Sequence, residues 1–253
     1  MTSAMSRSRT GSGLPRRTAD PILGPHHIAR IHREVVDAGP PPGVQQLDDA
    51  DYAALSAALL AERDEGPLLV FAYGSLIWKP SGEYGPGRPA TVHGWHRSFC
   101  LKVLRFRGTP EAPGLMMALD RGGCCRGLVY PLLGDDETRA IELLLRREMT
   151  NKPPTNVPRW VRAMTADGPV RAIAFTVNTK SWAYQPENSP EQTARTLATA
   201  CGHWGTGADY LYNAVHHLGL HGIRDSHLWR LQALVAQHIE RDHGADGVSP
   251  SRA

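Results

Sequence analysis

The sequence predicts an α+β fold, with strands gathered in the middle of the chain and helices in its last third. From Pro67 to about Val177, short runs containing Val, Thr, Trp and Phe are bounded by Gly and Pro, the punctuation of strands. One helical stretch interrupts them. Beyond Ser189 the apolar residues take up helical spacing. The 253 residues suffice for one large domain with a sizeable core, or for two small ones.

Taken in order, residues 1–20 are rich in Ser, Thr and Arg, with no acid before Asp20, and read as a disordered arm. They lack the apolar segment of a secretory signal, although an Arg-rich, acid-poor start also fits an organellar transit peptide. Residues 21–66 form a partly helical extension. A short helix near Ile28–Val36 is expected to stop at Pro40-Pro41-Pro42-Gly43. A second, capped by Asp48 or Asp49 and carrying Leu55, Leu59 and Leu60, should end near Gly66.

The main domain is expected over residues 67–240. Its strand candidates are Leu68–Tyr73, Ala90–Leu104, Leu115–Leu119, Leu128–Leu132, Arg159–Thr165 and Arg171–Val177. Asp135 or Asp136 can cap the interrupting helix, with Glu137 at its positive dipole end. That helix runs to about Met149 and stops before Asn151-Lys152-Pro153-Pro154. Ser189, Pro190 and Gln192 form a partial capping box, and Gly202 is expected to close the helix they start. Two further helices cover Asp209–Leu218 and Ser226–Glu240; Leu228, Leu231, Leu234 and Val235 give the last a core face. Residues 241–253 read as a polar tail, and no internal repeat is present.

Composition narrows the function. A net charge of +3 is too small to argue for nucleic acid or an anionic membrane surface. No run approaches the ~18 apolar residues of a membrane span. Cys100, Cys124, Cys125 and Cys201 include an adjacent pair and no Cys-x-x-Cys, so they read as reduced thiols of a cytoplasmic protein.

The chemistry concentrates in two places. Val70 to Ala72 read as the end of a buried strand, which breaks at Tyr73-Gly74-Ser75 and resumes at Leu76-Ile77-Trp78. A strand stopping at Gly-Ser exposes consecutive backbone N–H groups that can hold a carboxylate or a developing oxyanion. The same residues also fit an ordinary strand-to-turn junction. The second place is Glu148. Helical spacing puts it on the face of Ile141, Leu144 and Leu145, with Arg146 roughly opposite. A carboxylate at the end of an apolar stripe is desolvated, which raises its pKa toward the range useful for proton transfer. Alternatively the helix simply ends there and Glu148 meets water or Arg147.

The string Tyr73-Gly74-Ser75-Leu76-Ile77-Trp78 resembles the signature loop of the ChaC family, the glutathione-specific γ-glutamylcyclotransferases. Further strings follow in family order: Gly94-Trp95-His96-Arg97-Ser98-Phe99-Cys100, Arg107-Gly108-Thr109-Pro110, Pro113-Gly114-Leu115, Leu119-Asp120-Arg121-Gly122-Gly123, Arg146-Arg147-Glu148-Met149 and Asp209-Tyr210-Leu211. The resemblance spans roughly residues 68–240. It implies a small mixed sheet closed toward a barrel and surrounded by helices. It implies cleavage of glutathione to 5-oxoproline and cysteinylglycine, without metal or cofactor. Glu148 then matches the family's general acid/base. Tyr73, Gly74, Ser75, Leu76 and Ile77 match its substrate loop, and Tyr210 is implied to bond the substrate or orient Glu148. Arg107 and Arg97 become candidates for the glycine carboxylate of glutathione. Phe106 stands where family members often carry a histidine, and the segment 151–156 lengthens a connection that is shorter in some members.

Other chemistries fit less well. Gly74-Ser75 lacks the Gly-x-Ser-x-Gly elbow of a serine hydrolase. His217 and His221 have helical spacing but no His-Glu-x-x-His, and Gly219 lies between them, which favours a surface or packing role. A related regulatory module without turnover, of the kind labelled cation-transport regulator, would be expected to lose Glu148 or the loop; this chain keeps both. A cyclotransferase for other γ-glutamyl amines or peptides remains the nearest alternative.

Overall fold

The computed structural model describes residues 22–186 and 188–244, so the arm at 1–20 and residues 245–253 of the tail lie outside the described residues. In chain order the elements are α1 (Pro25–Ile31), β1 (Gln45–Gln46), α2 (Asp49–Ala61), β2 (Leu69–Ala72), β3 (Arg88–Val103), β4 (Gly114–Pro131), α3 (Glu137–Glu148), β5 (Asn151–Lys152), β6 (Asn156–Thr165), β7 (Gly168–Val177), α4 (Pro190–Thr199), β8 (Cys201–Gly202), β9 (Gly205–Thr206), α5 (Gly207–Leu220) and α6 (Ser226–His243). A short 3₁₀ turn, Ser75–Ile77, follows β2. No helix among the described residues is long and apolar enough to cross a membrane.

Five strands close into a barrel in the order β2-β4-β3-β6-β7, with β4 and β2 each bridging to β7. Closure removes the exposed strand edges of an open sheet. The helices pack outside. Capping fixes where several start: Asp48 and Ser189 each close a reciprocal capping box, and the Asp136 carboxylate accepts from the Arg139 N–H at 3.0 Å. α3 buries Ile141, Leu144 and Leu145 against Val70, Ala72, Ile173 and Phe175 of the barrel. Each such leucine stabilises by about 1.5–3 kcal/mol, and Leu144→Ala would cost about 2–5 kcal/mol. A larger cluster joins the other barrel face to α4, α5 and α6.

The mixed fold matches the expectation; several boundaries do not. The strands expected at Leu115–Leu119 and Leu128–Leu132 are one strand, β4. Its exposed middle is paired across to β3, and positive φ at Gly122 and Gly123 bends it where β3 has its own bulge near Gly94. The first helix covers Pro25–Ile31, not Ile28–Val36. Ile31 is its last buried residue, and beyond it no apolar face meets the core to support a short helix. α2 stops at Ala61, two residues past its last buried side chain, Leu59, and not near Gly66. α4 ends at Thr199 without help from Gly202; Ala200 turns extended and leads into β8. α6 continues to His243, past the expected start of the tail.

Candidate active site

β2 carries the chain through the barrel wall with all four residues buried, then releases it at Tyr73. Gly74 takes φ −143°, ψ −131°, and the 3₁₀ turn follows. The turn uses its later donors internally: the N–H of Ile77 bonds to Gly74 O, and those of Trp78 and Lys79 to Ser75 O. A Cβ at residue 74 would lie 2.9 Å from the Tyr210 hydroxyl and 3.2 Å from Met117 Cε. The missing side chain of Gly74 therefore admits Tyr210 to the loop. Trp78 reaches back to α5, its ring 5.7 Å from Tyr210 and stacked at 5.4 Å on His217. That contact gives His217 its packing role.

The loop forms one wall of a cleft of about 470 Å³. Tyr73, Gly74, Ser75, Leu76, Arg107, Glu148 and Tyr210 all line it. Ile77 is not among the lining residues; its side chain packs against the two main core clusters.

Glu148 is the last residue of α3, on the same side as Ile141, Leu144 and Leu145, and its side chain is 16% exposed. Burial raises its pKa, opposed by the charge and hydrogen bond of Arg147. Both sequence readings of Glu148 hold together: it is desolvated and it pairs with Arg147, whose Nε donates to Oε1 at 3.0 Å. Arg147 Nη2 also donates to Ser75 Oγ at 3.3 Å, tying the end of α3 to the loop. Sequence reasoning passed over Arg147 as a site residue; its adjacency to Glu148 was the available signal.

Two buried tyrosines lie within the field of this carboxylate. Burial and the charge of Glu148 push the Tyr210 pKa up to about 12, and the same two causes raise that of Tyr73. The Tyr73 hydroxyl donates to the Phe175 carbonyl at 2.9 Å, so it anchors the loop to β7. Tyr210 keeps its hydroxyl at the loop backbone.

The arginines separate. Arg97 is buried: its Nε donates to Tyr73 O at 2.7 Å, Nη1 to Asp225 at 3.0 Å and Nη2 to Arg126 O. It supports the loop from behind and does not line the cleft, which corrects its assignment to a substrate carboxylate. Arg107 does line the cleft, with its guanidinium on Thr206 O at 2.6 Å and Asp209 Oδ2 at 2.8 Å, 5.4 Å from the Tyr210 ring.

Phe106 adopts φ +70°, a left-handed conformation unusual for an aromatic residue. Its ring lies 4.3 Å from that of Trp204 at the cleft. The segment is held by close backbone contact. A Cβ on Gly202 would meet Phe106 O at 2.3 Å, and one on Gly108 would meet Gly114 N at 2.3 Å.

The extension before the barrel also contributes. Pro40, Pro41, Val44 and Gln46 line the cleft. They are placed by β1 pairing with β5 and by the Asp37 carboxylate, which accepts from Arg105 Nε and Nη2 at 2.7 and 2.6 Å. No local pattern in the sequence announces this wall. The segment 151–156 finds its use here, because β5 holds β1. Among the cysteines, burial pushes the thiols of Cys100 and Cys125 up to about 12 and about 11, far from nucleophilic use.

A family model described as ChaC-like protein matches residues 68–238. The glutathione-specific γ-glutamylcyclotransferase of Escherichia coli (strain K12) is 36% identical over 197 residues, covering 78% of this chain and 84% of its own. That of Schizosaccharomyces pombe is 30% identical over 200 residues, covering 70% and 96%. A yeast γ-glutamyl cyclotransferase specific to glutathione superposes with a TM-score of 0.61 at 19% identity, over 73% of this chain and all of its own, a likeness of fold. The matched residues run from the strand that delivers the loop, through the helix that delivers Glu148, into α6, and on that match the chain belongs to the ChaC-like family.

Proposed function

We propose that the chain is a glutathione-specific γ-glutamylcyclotransferase, which converts glutathione to 5-oxoproline and cysteinylglycine. The observation that carries this reading is the mostly buried Glu148 carboxylate, its pKa raised, in the cleft wall beside the Tyr73–Trp78 loop. The family membership and the names of the relatives support the same reaction.

The chemistry needs one acid/base. The α-amine of a γ-glutamyl group is normally an ammonium and cannot attack. Glu148 removes its proton, and the amine nitrogen then bonds to the γ-carbonyl carbon of the same residue, closing a five-membered lactam. The amide C–N bond to cysteine breaks as Glu148 returns that proton to the leaving nitrogen. The regenerated carboxylate then takes the second proton from the ring nitrogen and passes it to the released amine or to water, leaving a neutral lactam. Attack within one molecule gains from proximity, so no protein nucleophile is required. Raised by burial, the Glu148 pKa lies closer to that of its proton-transfer partners than an exposed carboxylate's would. Backbone N–H groups of the loop stabilise the oxyanion or bind the α-carboxylate. Tyr210, at the loop backbone and under the field of Glu148, orients the reacting group.

Incubation of purified protein with glutathione and a chelator, followed by mass spectrometry, tests this. Release of 5-oxoproline with cysteinylglycine is expected; folded protein that releases neither overturns it. Comparison with γ-glutamyl-alanine separates glutathione specificity from a broader γ-glutamyl activity.

A further inference from the structure

Five cationic side chains line the cleft: Lys79, Lys102, Arg105, Arg107 and Arg147. Three are matched by carboxylates, Arg105 by Asp37, Arg107 by Asp209 and Arg147 by Glu148. Among the described residues, Lys79 and Lys102 form no ion pair. The cleft thus offers two uncompensated positive charges beside a single carboxylate.

The two lysines differ in setting. Lys79 is exposed, whereas Lys102 is half-buried near the end of β3. Water screens the first charge more than the second. Register places Lys102 further. It pairs across to Leu115, so it shares a sheet face with Leu115 and, two residues along β4, with Met117. Met117 is the residue whose Cε lies against Gly74. The Lys102 N–H bonds to the carbonyl of Ala183, next to cleft-lining Trp182. A charge here is close to the catalytic loop, partly shielded from solvent and without a counter-ion.

Glutathione ends in a carboxylate on the leaving dipeptide, remote from the γ-glutamyl amine. We infer that Lys102 is a specificity-determining residue that binds this distal carboxylate, a role that rests on the proposed cyclotransferase reaction. Arg97 and Arg107 have the charge for this task, but Arg97 is enclosed behind the loop and Arg107 is neutralised by Asp209. Lys102 selects substrates whose leaving amine carries an anionic end, and so separates glutathione from γ-glutamyl amines without one.

The test compares glutathione with its glycine monoethyl ester on wild type, Lys102→Met, Lys102→Arg and Lys79→Met. Wild type is expected to lose about tenfold in kcat/KM on the ester, the size of a hydrogen bond to a charged group. Lys102→Met should lose about as much on glutathione, through KM with kcat held, and nothing further on the ester. Lys102→Arg should recover most of the loss, and Lys79→Met should change either substrate by less than about twofold. Wild type that cleaves both substrates equally well overturns the inference and leaves the reaction standing. So does a Lys102→Met variant that still prefers glutathione tenfold. Wild type that cleaves neither overturns the reaction and this inference with it.

Discussion

The Tyr210 hydroxyl stands 2.9 Å from where a Cβ on residue 74 would lie, so helix α5 and the loop after β2 meet through the missing side chain of Gly74. Gly74→Ala is expected to displace Tyr210 and to destabilise the fold by about 1–3 kcal/mol. Tyr210→Phe removes the atom that clashes. Denaturation of the single and double variants should therefore show Gly74→Ala costing less in the Tyr210→Phe background. Additive costs would place the strain elsewhere, for instance at Met117 Cε, 3.2 Å away.

Glu148→Gln should lower kcat by about 10²–10⁴-fold, the range of general acid/base catalysis. The same change should stabilise the protein at neutral pH. Folding raises the Glu148 pKa, so the folded state binds its proton more tightly than the unfolded state. Its ionisation thus costs stability as pH rises through the folded pKa, and that cost is absent below the unfolded value. The melting-temperature gain of Glu148→Gln should accordingly fade as pH is lowered toward the ordinary carboxylate range. A gain independent of pH would contradict this.

Arg147 positions and tunes Glu148. Its charge and hydrogen bond hold the carboxyl pKa below what burial alone would give. Arg147→Met should therefore move the acid limb of the kcat profile to higher pH, a readout that loss of packing alone would not change. An unmoved limb would remove Arg147 from this role.

Ser75→Ala should be far milder than Glu148→Gln, within about tenfold in kcat/KM, because the loop is assigned to act through backbone N–H groups. The side chain loses one 3.3 Å hydrogen bond from Arg147. A loss as deep as that of Glu148→Gln would point to the hydroxyl itself.

Arg97→Met should destabilise by about 3–5 kcal/mol in denaturant titrations, since it removes one partner of an ion pair whose arginine side chain is 2% exposed. It also leaves the carbonyls of Tyr73 and Arg126 without this donor. A change near zero would show that water replaces all three contacts.

Much of the barrel and its helices was legible because burial follows period. Ile141, Leu144 and Leu145 carry helical spacing that predicts both a helix and the side on which Glu148 falls. Capping residues mark starts well, since Asp48 and Ser189 act through neighbours in sequence. Helix ends were less legible. Those of α1 and α2 depend on where the core stops, which local sequence does not encode. β4 looked like two strands because its exposed middle is sustained by pairing with β3. Within the site, the loop string and Glu148 were readable as local patterns. The different fates of Arg97 and Arg107 were not, because each is decided by a carboxylate more than a hundred residues away, Asp225 and Asp209. Pro40 to Gln46 escaped notice for a similar reason, being placed by contacts with Arg105 and β5.

The backbone contacts at Gly108, Gly114 and Gly202 bear on how such a cleft changes over evolutionary time. Chain packed on chain leaves no room for a side chain at any of the three, so the path of the segment carrying Phe106 and Arg107 is fixed by its neighbours. New substrate preferences must then arise by exchanging side chains on an unchanging track. Position 106, whose ring reaches the cleft while its main chain is pinned, is the place where one substitution alters what the cleft meets and leaves its frame intact.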